Sequence, residues 1–79
     1  VMSRELAKKN ILFNSILPGL TETNLMRAST KEDDINDYLM RVDNKRLSHP
    51  IEIAYLIDFL ISDFNTHITG QEISIDGGI

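Results

Sequence analysis

Two apolar stretches of different character organise the chain. The first, Ile11–Leu17, is interrupted only by Asn14 and Ser15 and stops at Pro18-Gly19, which is typical of a central strand in a parallel sheet covered on both faces. The second, Ile51–Ser62, begins after Pro50 and is apolar on nearly every side. That pattern predicts a helix covered on two sides, by its own sheet and by another subunit.

The other elements are predicted from periodicity and from end signals. They are a helix over Val1–Lys9 ended by a left-handed Asn10, a short helical turn over Leu25–Ala28, a helix entered through a capping box at Ser29–Glu32 and running to Val42, and a strand over Glu72–Ile75 closed by Asp76-Gly77-Gly78. Strand, helical crossover and strand in this order predict an α/β fold with parallel pairing.

The loop at residues 18–23 is where we expect a ligand, because ligands bind beyond the carboxyl ends of parallel strands. Pro18 fixes the backbone and Gly19 lets it approach a flat ligand. The backbone groups near Leu20 and Thr21 can pair with a primary carboxamide, and the Thr23 hydroxyl can bind a phosphate or an amide. Alternatively, Pro-Gly only turns the chain and the threonines only cap a helix.

Composition limits the classes of protein. Seventy-nine residues with no cysteine and 42% hydrophobic content indicate one small domain or a piece of one, without disulfides. The chain starts at Val1 inside a helical pattern, so we expect a fragment whose N-terminal part is missing. A net charge of −4 without a long basic run argues against a nucleic-acid partner. Without a membrane-spanning run or a signal peptide, we expect a cytoplasmic protein.

Candidate metal ligands and catalytic histidines are weak. The acidic run Glu32–Asp34 with Asp37 is typical of solvated side chains that complement a helix dipole, so we predict no metal site. We expect His49 to cap the following helix and His67 to lie in a surface turn.

A series of short motifs, in order and at characteristic spacing, covers nearly the whole chain. The motifs are Glu5-Leu6-Ala7, Asn10-Ile11-Leu12-Phe13-Asn14, Pro18-Gly19-Leu20-Thr21-Glu22-Thr23, Arg46-Leu47, Pro50-Ile51-Glu52-Ile53-Ala54, Phe59-Leu60-Ile61-Ser62-Asp63, Ile68-Thr69-Gly70-Gln71 and Asp76-Gly77-Gly78. Together they resemble the C-terminal third of a short-chain dehydrogenase/reductase, and most of all the bacterial 3-oxoacyl-carrier-protein reductases.

The resemblance implies that residues 1–79 are the C-terminal segment of one NAD(P)-binding domain with a Rossmann-like, doubly wound parallel sheet. It implies hydride transfer between a carbonyl and an alcohol with NAD or NADP. By position, Pro18, Gly19 and the Thr21 backbone would hold the nicotinamide carboxamide, and Thr23 the carboxamide or the pyrophosphate.

The family's catalytic serine, tyrosine and lysine are expected upstream of Val1, so none is assigned here. Tyr38 and Tyr55 are not followed by lysine four positions later, and we interpret them as packing residues. The choice between NAD and NADP, the substrate and the reaction direction stay open.

The remaining implications concern substrate and assembly. The segment between Thr23 and Arg46 resembles the family's substrate lid, whose apolar residues suit an acyl substrate or a core: Met26, Ile35, Leu39 and Met40. Ile51–Ser62 and Ile73–Ile75 resemble a dimer-forming surface, which implies a homodimer or homotetramer. The alternatives are a non-catalytic nucleotide-binding module and an assembly element. We expect the isolated chain to be inactive and poorly folded.

Overall fold

A computed structural model of the chain describes residues 4, 5 and 8–79. Its elements are, in order, β1 (Ser15–Pro18), α1 (Asn24–Ser29), α2 (Glu32–Arg41), α3 (Pro50–Ile61) and β2 (Glu72–Ile75). The two strands form a parallel sheet. The predicted α/β order and the parallel pairing are therefore confirmed.

The predicted helix over Val1–Lys9 falls largely outside the described residues, which omit 1–3, 6 and 7. Arg4 and Glu5 are helical, and the Lys8 N–H donates to the Arg4 carbonyl at 3.4 Å. Asn10 has a φ of +59°, a left-handed conformation that asparagine tolerates better than most residues. The predicted left-handed conformation of Asn10 is confirmed.

β1 is shorter than the predicted strand Ile11–Leu17. Before Ser15 one backbone bond remains, from the Gly70 N–H to the Phe13 carbonyl at 2.7 Å, and side chains make the other bonds. The Phe13 N–H donates to the Thr69 hydroxyl at 2.9 Å. The Asn14 amide donates to the Ile68 carbonyl at 3.0 Å and accepts from the Gln71 N–H at 3.1 Å. Residues 13 and 14 thus run beside the chain that leads into β2 without regular pairing, and the predicted strand start was wrong.

The sequence predicted the start of α3 correctly but not the cap of α2. α3 begins at Pro50, as predicted, with His49 at the N-cap position. The expected capping box of α2 is absent: Lys31 is the N-cap residue and makes no side-chain cap bond. The Ser29 hydroxyl is used inside α1 instead, donating to the Leu25 carbonyl at 2.8 Å.

The core lies between α2 and the loop that follows β1. Its buried members are Ile35, Tyr38, Val42 and Leu47, and the half-buried Leu20, Met26 and Leu39 pack against them. Ile35 and Tyr38 on α2, and Val42 directly after it, share one helix face. Met40 lies on another face and is 75% exposed, so most of the apolar residues expected on the lid belong to the core.

The chain after β2 is hydrogen-bonded to the residues that follow α2. The Asp43 N–H donates to the Gly78 carbonyl and the Asn44 N–H to the Gly77 carbonyl, both at 2.9 Å. Gly78 has a φ of +90°, which only glycine adopts without strain. This turn holds α2 close to the carboxyl end of the sheet.

α3 is mostly uncovered by the described residues. Leu60 is its buried residue, whereas Ile51, Tyr55 and Phe59 are 53%, 66% and 45% exposed. Residues spaced by four lie on one face of a helix, so these three form one apolar stripe. The interpretation of Tyr55 as a packing residue is wrong for this chain alone, because little within it covers the ring.

Candidate functional site

The loop at residues 18–23 leaves the sheet at the carboxyl ends of both strands. Pro18 is the last residue of β1 and pairs in register with Ile75. The Gly19 N–H then donates to the Ile75 carbonyl at 3.1 Å. The loop therefore starts at the sheet edge where ligands of open α/β proteins bind.

A second backbone pairing holds the loop further along. Thr21 forms an isolated parallel bridge with Ser48. The Ser48 N–H donates to the Leu20 carbonyl at 2.9 Å, and the Glu22 N–H donates to the Ser48 carbonyl at 2.8 Å. The loop is thus fixed to the segment that enters α3.

This pairing leaves the backbone of Thr21 itself free. In a parallel bridge, the bonds to the partner residue come from the neighbours on either side, here Leu20 and Glu22. Within the described part of the chain, no hydrogen bond reaches the N–H or the C=O of Thr21. Thr21 therefore offers one backbone N–H donor and one backbone C=O acceptor on the side of the loop that faces away from Ser48.

Gly19 lies in close contact with the core. A Cβ at this position would collide with the Tyr38 hydroxyl and come within 2.9 Å of the Asp76 Cβ and 3.0 Å of its Cα. The backbone can approach Tyr38 and Asp76 only because the side chain is absent. Packing within the chain therefore requires glycine at position 19, in addition to the ligand approach expected from the sequence.

The two threonine hydroxyls make local bonds. The Thr21 hydroxyl donates to the Gly19 carbonyl at 3.0 Å. The Thr23 hydroxyl accepts from the Met26 N–H at 3.0 Å and caps α1. A hydroxyl that accepts one bond still carries its own proton, so Thr23 can cap the helix and donate to a ligand at once.

Two ion pairs flank the loop and the segment bound to it. Arg27 binds both carboxylate oxygens of Glu22, at 2.6 and 2.7 Å, and this bond lowers the pKa of Glu22. Arg46 binds both oxygens of Glu52, at 2.7 and 2.8 Å. Bidentate arginine–carboxylate pairs fix orientation as well as distance.

Glu52 also caps α3. Its carboxylate accepts from the His49 N–H at 2.8 Å. The Arg46 bond, followed by the His49 backbone bond, lowers the pKa of Glu52 to about 2. Glu52 thereby connects Arg46 to the segment around Ser48 that pairs with the loop.

Clefts open beside the loop and at the opposite end of the sheet. One of about 320 Å³ borders the loop and α2, and is lined by Glu22, Arg27, Leu39, Lys45, Arg46, Leu47 and His49. Another, of about 450 Å³, lies near the amino end of β1 and is lined by Asn10, Leu12, Asn65, Thr66, His67 and Thr69. The two histidines are therefore separated, and only His49 lies near the loop.

Two general features are absent from residues 4, 5 and 8–79. No three side chains of the metal-ligating types come together there, so the acidic start of α2 forms no cluster. None of the described helices has both the length and the apolar character needed to cross a bilayer.

Sequence reasoning missed two residues that shape the loop. Tyr38 was expected only to pack, yet its hydroxyl contacts both the loop and the chain after β2. Ser48 was not expected to pair with the loop, although it provides the backbone bridge to Thr21. The spacing of Ile35, Tyr38 and Val42 on one helix face pointed to burial of Tyr38, but nothing local marked Ser48.

The parallel sheet, the helical crossover and a loop with free backbone groups at the carboxyl edge define an α/β protein of the Rossmann-like class. A family model described as Enoyl-(Acyl carrier protein) reductase matches residues 1–79. The chain belongs to this family, within the short-chain dehydrogenases/reductases.

Individual relatives agree with that membership. The chain is 40% identical to the 3-oxoacyl-[acyl-carrier-protein] reductase FabG of Chlamydia trachomatis over 78 residues, which cover 99% of this chain and 31% of that protein. A hydroxysteroid dehydrogenase structure from Escherichia coli superposes with a TM-score of 0.89 at 29% identity, covering 99% of this chain and 33% of the other. A 4-hydroxyisoleucine dehydrogenase complexed with NADH gives a TM-score of 0.80 at 34% identity, with coverages of 98% and 30%. The chain therefore spans about a third of the length of these relatives.

Proposed function

We propose that residues 1–79 form the C-terminal segment of a longer NAD(P)-binding domain, and that the whole protein is an oxidoreductase interconverting a carbonyl and an alcohol. Family membership and the oxidoreductase names of the relatives support the reaction class. The observation that carries the proposal is the unpaired backbone donor and acceptor of Thr21 at the carboxyl edge of the sheet.

The free groups of Thr21 suit a nicotinamide carboxamide. That group has an NH₂ donor and a carbonyl acceptor on one planar unit, and Thr21 offers the complementary acceptor and donor. Pro18 lacks an N–H and stiffens the entry to the loop, while Ser48 fixes its far side through two backbone bonds. The site is thus held in place before a ligand binds, which lowers the entropic cost of binding.

The assigned residues have different roles. Pro18 and Gly19 hold the loop against β2 and the core, the Thr21 backbone binds the carboxamide, and Thr23 donates its hydroxyl proton to the carboxamide or the pyrophosphate. The bound coenzyme, NAD or NADP, supplies the hydride chemistry. This chain's residues orient the ring, and the acid–base residues are expected in the preceding part of the protein.

We assign the substrate to the class of acyl thioesters bearing a 3-oxo group, as a 3-oxoacyl-carrier-protein reductase would use. The name of the Chlamydia relative favours this class. Leu25 on α1 and Met40 on α2 are 79% and 75% exposed, and they offer apolar surface on the lid segment for an acyl chain.

We assign the uncovered surfaces of α3 and β2, within Ile51–Ser62 and Ile73–Ile75, to a homodimer or homotetramer interface. The apolar stripe of Ile51, Tyr55 and Phe59 supports this assignment, because contiguous exposed apolar surface marks an interface.

The proposal is tested in the full-length protein by Thr23→Val, which removes the cap and the hydroxyl donor. Thr23→Ser keeps both functions, and Thr23→Asp keeps the cap acceptor without a hydroxyl. We expect valine to raise the coenzyme KM or lower kcat, and serine to stay close to the wild type. If valine changed neither parameter, the loop assignment would be rejected. Coenzyme binding without turnover on a panel of carbonyl substrates would favour a non-catalytic binding module.

A further inference from the structure

Tyr38 connects three parts of the molecule through one oxygen atom. It lies on α2, between the loop after β1 and the turn after β2, and is 7% exposed. Its hydroxyl accepts from the Leu20 N–H at 3.3 Å and donates to the Asp76 carbonyl at 3.3 Å. The two bonds use the donor and one acceptor position of the hydroxyl.

The contact lies directly beside the proposed coenzyme site. Leu20 precedes Thr21, and its carbonyl accepts from the Ser48 N–H at 2.9 Å. Ser48 therefore holds the Leu20–Thr21 peptide at its carbonyl, and Tyr38 holds the preceding Gly19–Leu20 peptide at the Leu20 N–H. Because a peptide is planar, fixing both sides of Leu20 limits how the Thr21 N–H can turn.

The close packing between Gly19 and Tyr38 is a second observation on the Tyr38 hydroxyl. The Tyr38 hydroxyl occupies the space where a Cβ on Gly19 would lie. The loop is thus in van der Waals contact with the same oxygen that binds the Leu20 amide. A side chain placed on α2 only to fill the core would not need a hydroxyl at this point.

We propose that Tyr38 is a positioning residue for coenzyme binding, whose hydroxyl sets the orientation of the Leu20–Thr21 backbone. The inference rests on the proposed function, since it assigns Thr21 to the coenzyme. Tyr38 does not touch the coenzyme and acts through Leu20.

The test uses Tyr38→Phe in the full-length protein, because phenylalanine keeps the ring in the core and removes only the oxygen. Thr66→Val gives the baseline for losing a side-chain hydroxyl: Thr66 is exposed near the amino end of β1, and its hydroxyl has no hydrogen bond to a described residue. The first readout is the dissociation constant of NADH and of NADPH, measured by fluorescence titration. We expect Tyr38→Phe to raise it about two- to fivefold above the baseline, as for the loss of a modest hydrogen bond.

The second readout is amide hydrogen exchange at Leu20, which does not depend on coenzyme. Exchange at Leu20 should speed up in Tyr38→Phe, whereas the Glu22 amide, bound to the Ser48 carbonyl, should keep its wild-type rate. Faster exchange at both amides would indicate general loosening of the fold and would overturn the positioning role.

The outcomes separate the two claims. A wild-type protein that bound neither coenzyme would end the proposed function, and with it the role of Tyr38 in coenzyme binding. Normal coenzyme binding by the wild type, with equal dissociation constants for Tyr38→Phe and Thr66→Val, would overturn the role of Tyr38 alone.

Discussion

The close contact between Gly19 and Tyr38 restricts which side chains both positions can carry. The tyrosine oxygen binds the Leu20 amide and fills the space beside the Gly19 Cα. A glycine after a proline at a strand end is usually explained by the turn that it permits. Here the neighbouring side chain requires it as well.

Gly19→Ala should therefore destabilise the full-length protein by about 1–3 kcal/mol, the usual cost of forcing an extra methyl group into a packed site. Urea unfolding of the wild type and the variant measures the change. In a Tyr38→Phe background the penalty should shrink but persist, because the Asp76 backbone still lies 3.0 Å from the new Cβ. Strictly additive effects of the two substitutions would contradict a direct contact.

At single residues, the sequence predicted what depends on local chemistry. The left-handed Asn10 and Pro50 at the start of α3 follow from the conformational preferences of asparagine and proline. The Tyr38 bond spans 38 positions to Asp76, and the Thr21 bridge spans 27 to Ser48. Only the fold brings such distant partners together, so no local sequence pattern reveals them.

At the level of elements, side-chain bonds set the ends of strands and helices. Asn14 binds across to Ile68 and Gln71 and so shortens β1. Ser29 bonds within α1 and does not cap α2. Periodicity located each of the described elements, but competing uses of polar side chains moved two of the boundaries.

The start of α3 carries a pH-dependent contact. Glu52 has a pKa of about 2, against an ordinary value of 4.5, chiefly because Arg46 binds its carboxylate. A carboxyl whose pKa is lowered on folding stabilises the folded state fully above its unfolded pKa. This contribution is lost as the pH falls from about 4.5 through about 2.

Carboxyl-carbon NMR titration of Glu52 in the full-length protein should therefore give a midpoint near 2. Arg46→Gln should move that midpoint toward 4.5, though only part of the way, because the His49 N–H still binds the carboxylate. Arg27→Gln is the control, since Arg27 pairs with Glu22. A wild-type midpoint near 4.5 would disprove the pairing.

The apolar stripe on α3 yields a prediction about assembly. Phe59→Glu places a charge where the proposed subunit interface would bury it, which strongly disfavours association. Sedimentation equilibrium of the full-length protein should show a lower average mass than for the wild type. Asn36→Glu introduces the same charge on the exposed side of α2 and should leave the mass unchanged. Equal masses for all three proteins would argue against this interface.

For the whole molecule, few apolar side chains are buried among the described residues. The buried apolar residues of the described chain are Ile35, Tyr38, Val42, Leu47 and Leu60. Apolar residues of β1 and α3 line an open groove of about 250 Å³ between them, including Ile16, Ile57 and Ile61. A chain of this size stabilises itself only with an efficiently buried core.

Residues 1–79 expressed alone should accordingly lack cooperative unfolding. Circular dichroism during heating should show a gradual loss of signal, and calorimetry should show no sharp heat-capacity peak. A sharp, reversible transition for this chain alone would contradict the expectation that it needs further sheet to pack against.

The most direct test of the coenzyme-loop assignment is a crystal structure of the full-length protein with NADH or NADPH bound. We predict that the nicotinamide carboxamide lies within about 3.2 Å of the Thr21 N–H nitrogen and carbonyl oxygen, with the Thr23 hydroxyl on the carboxamide or the pyrophosphate. A nicotinamide ring placed away from Thr21 and Thr23, with the Thr21 backbone groups bound only to water, would contradict the assignment.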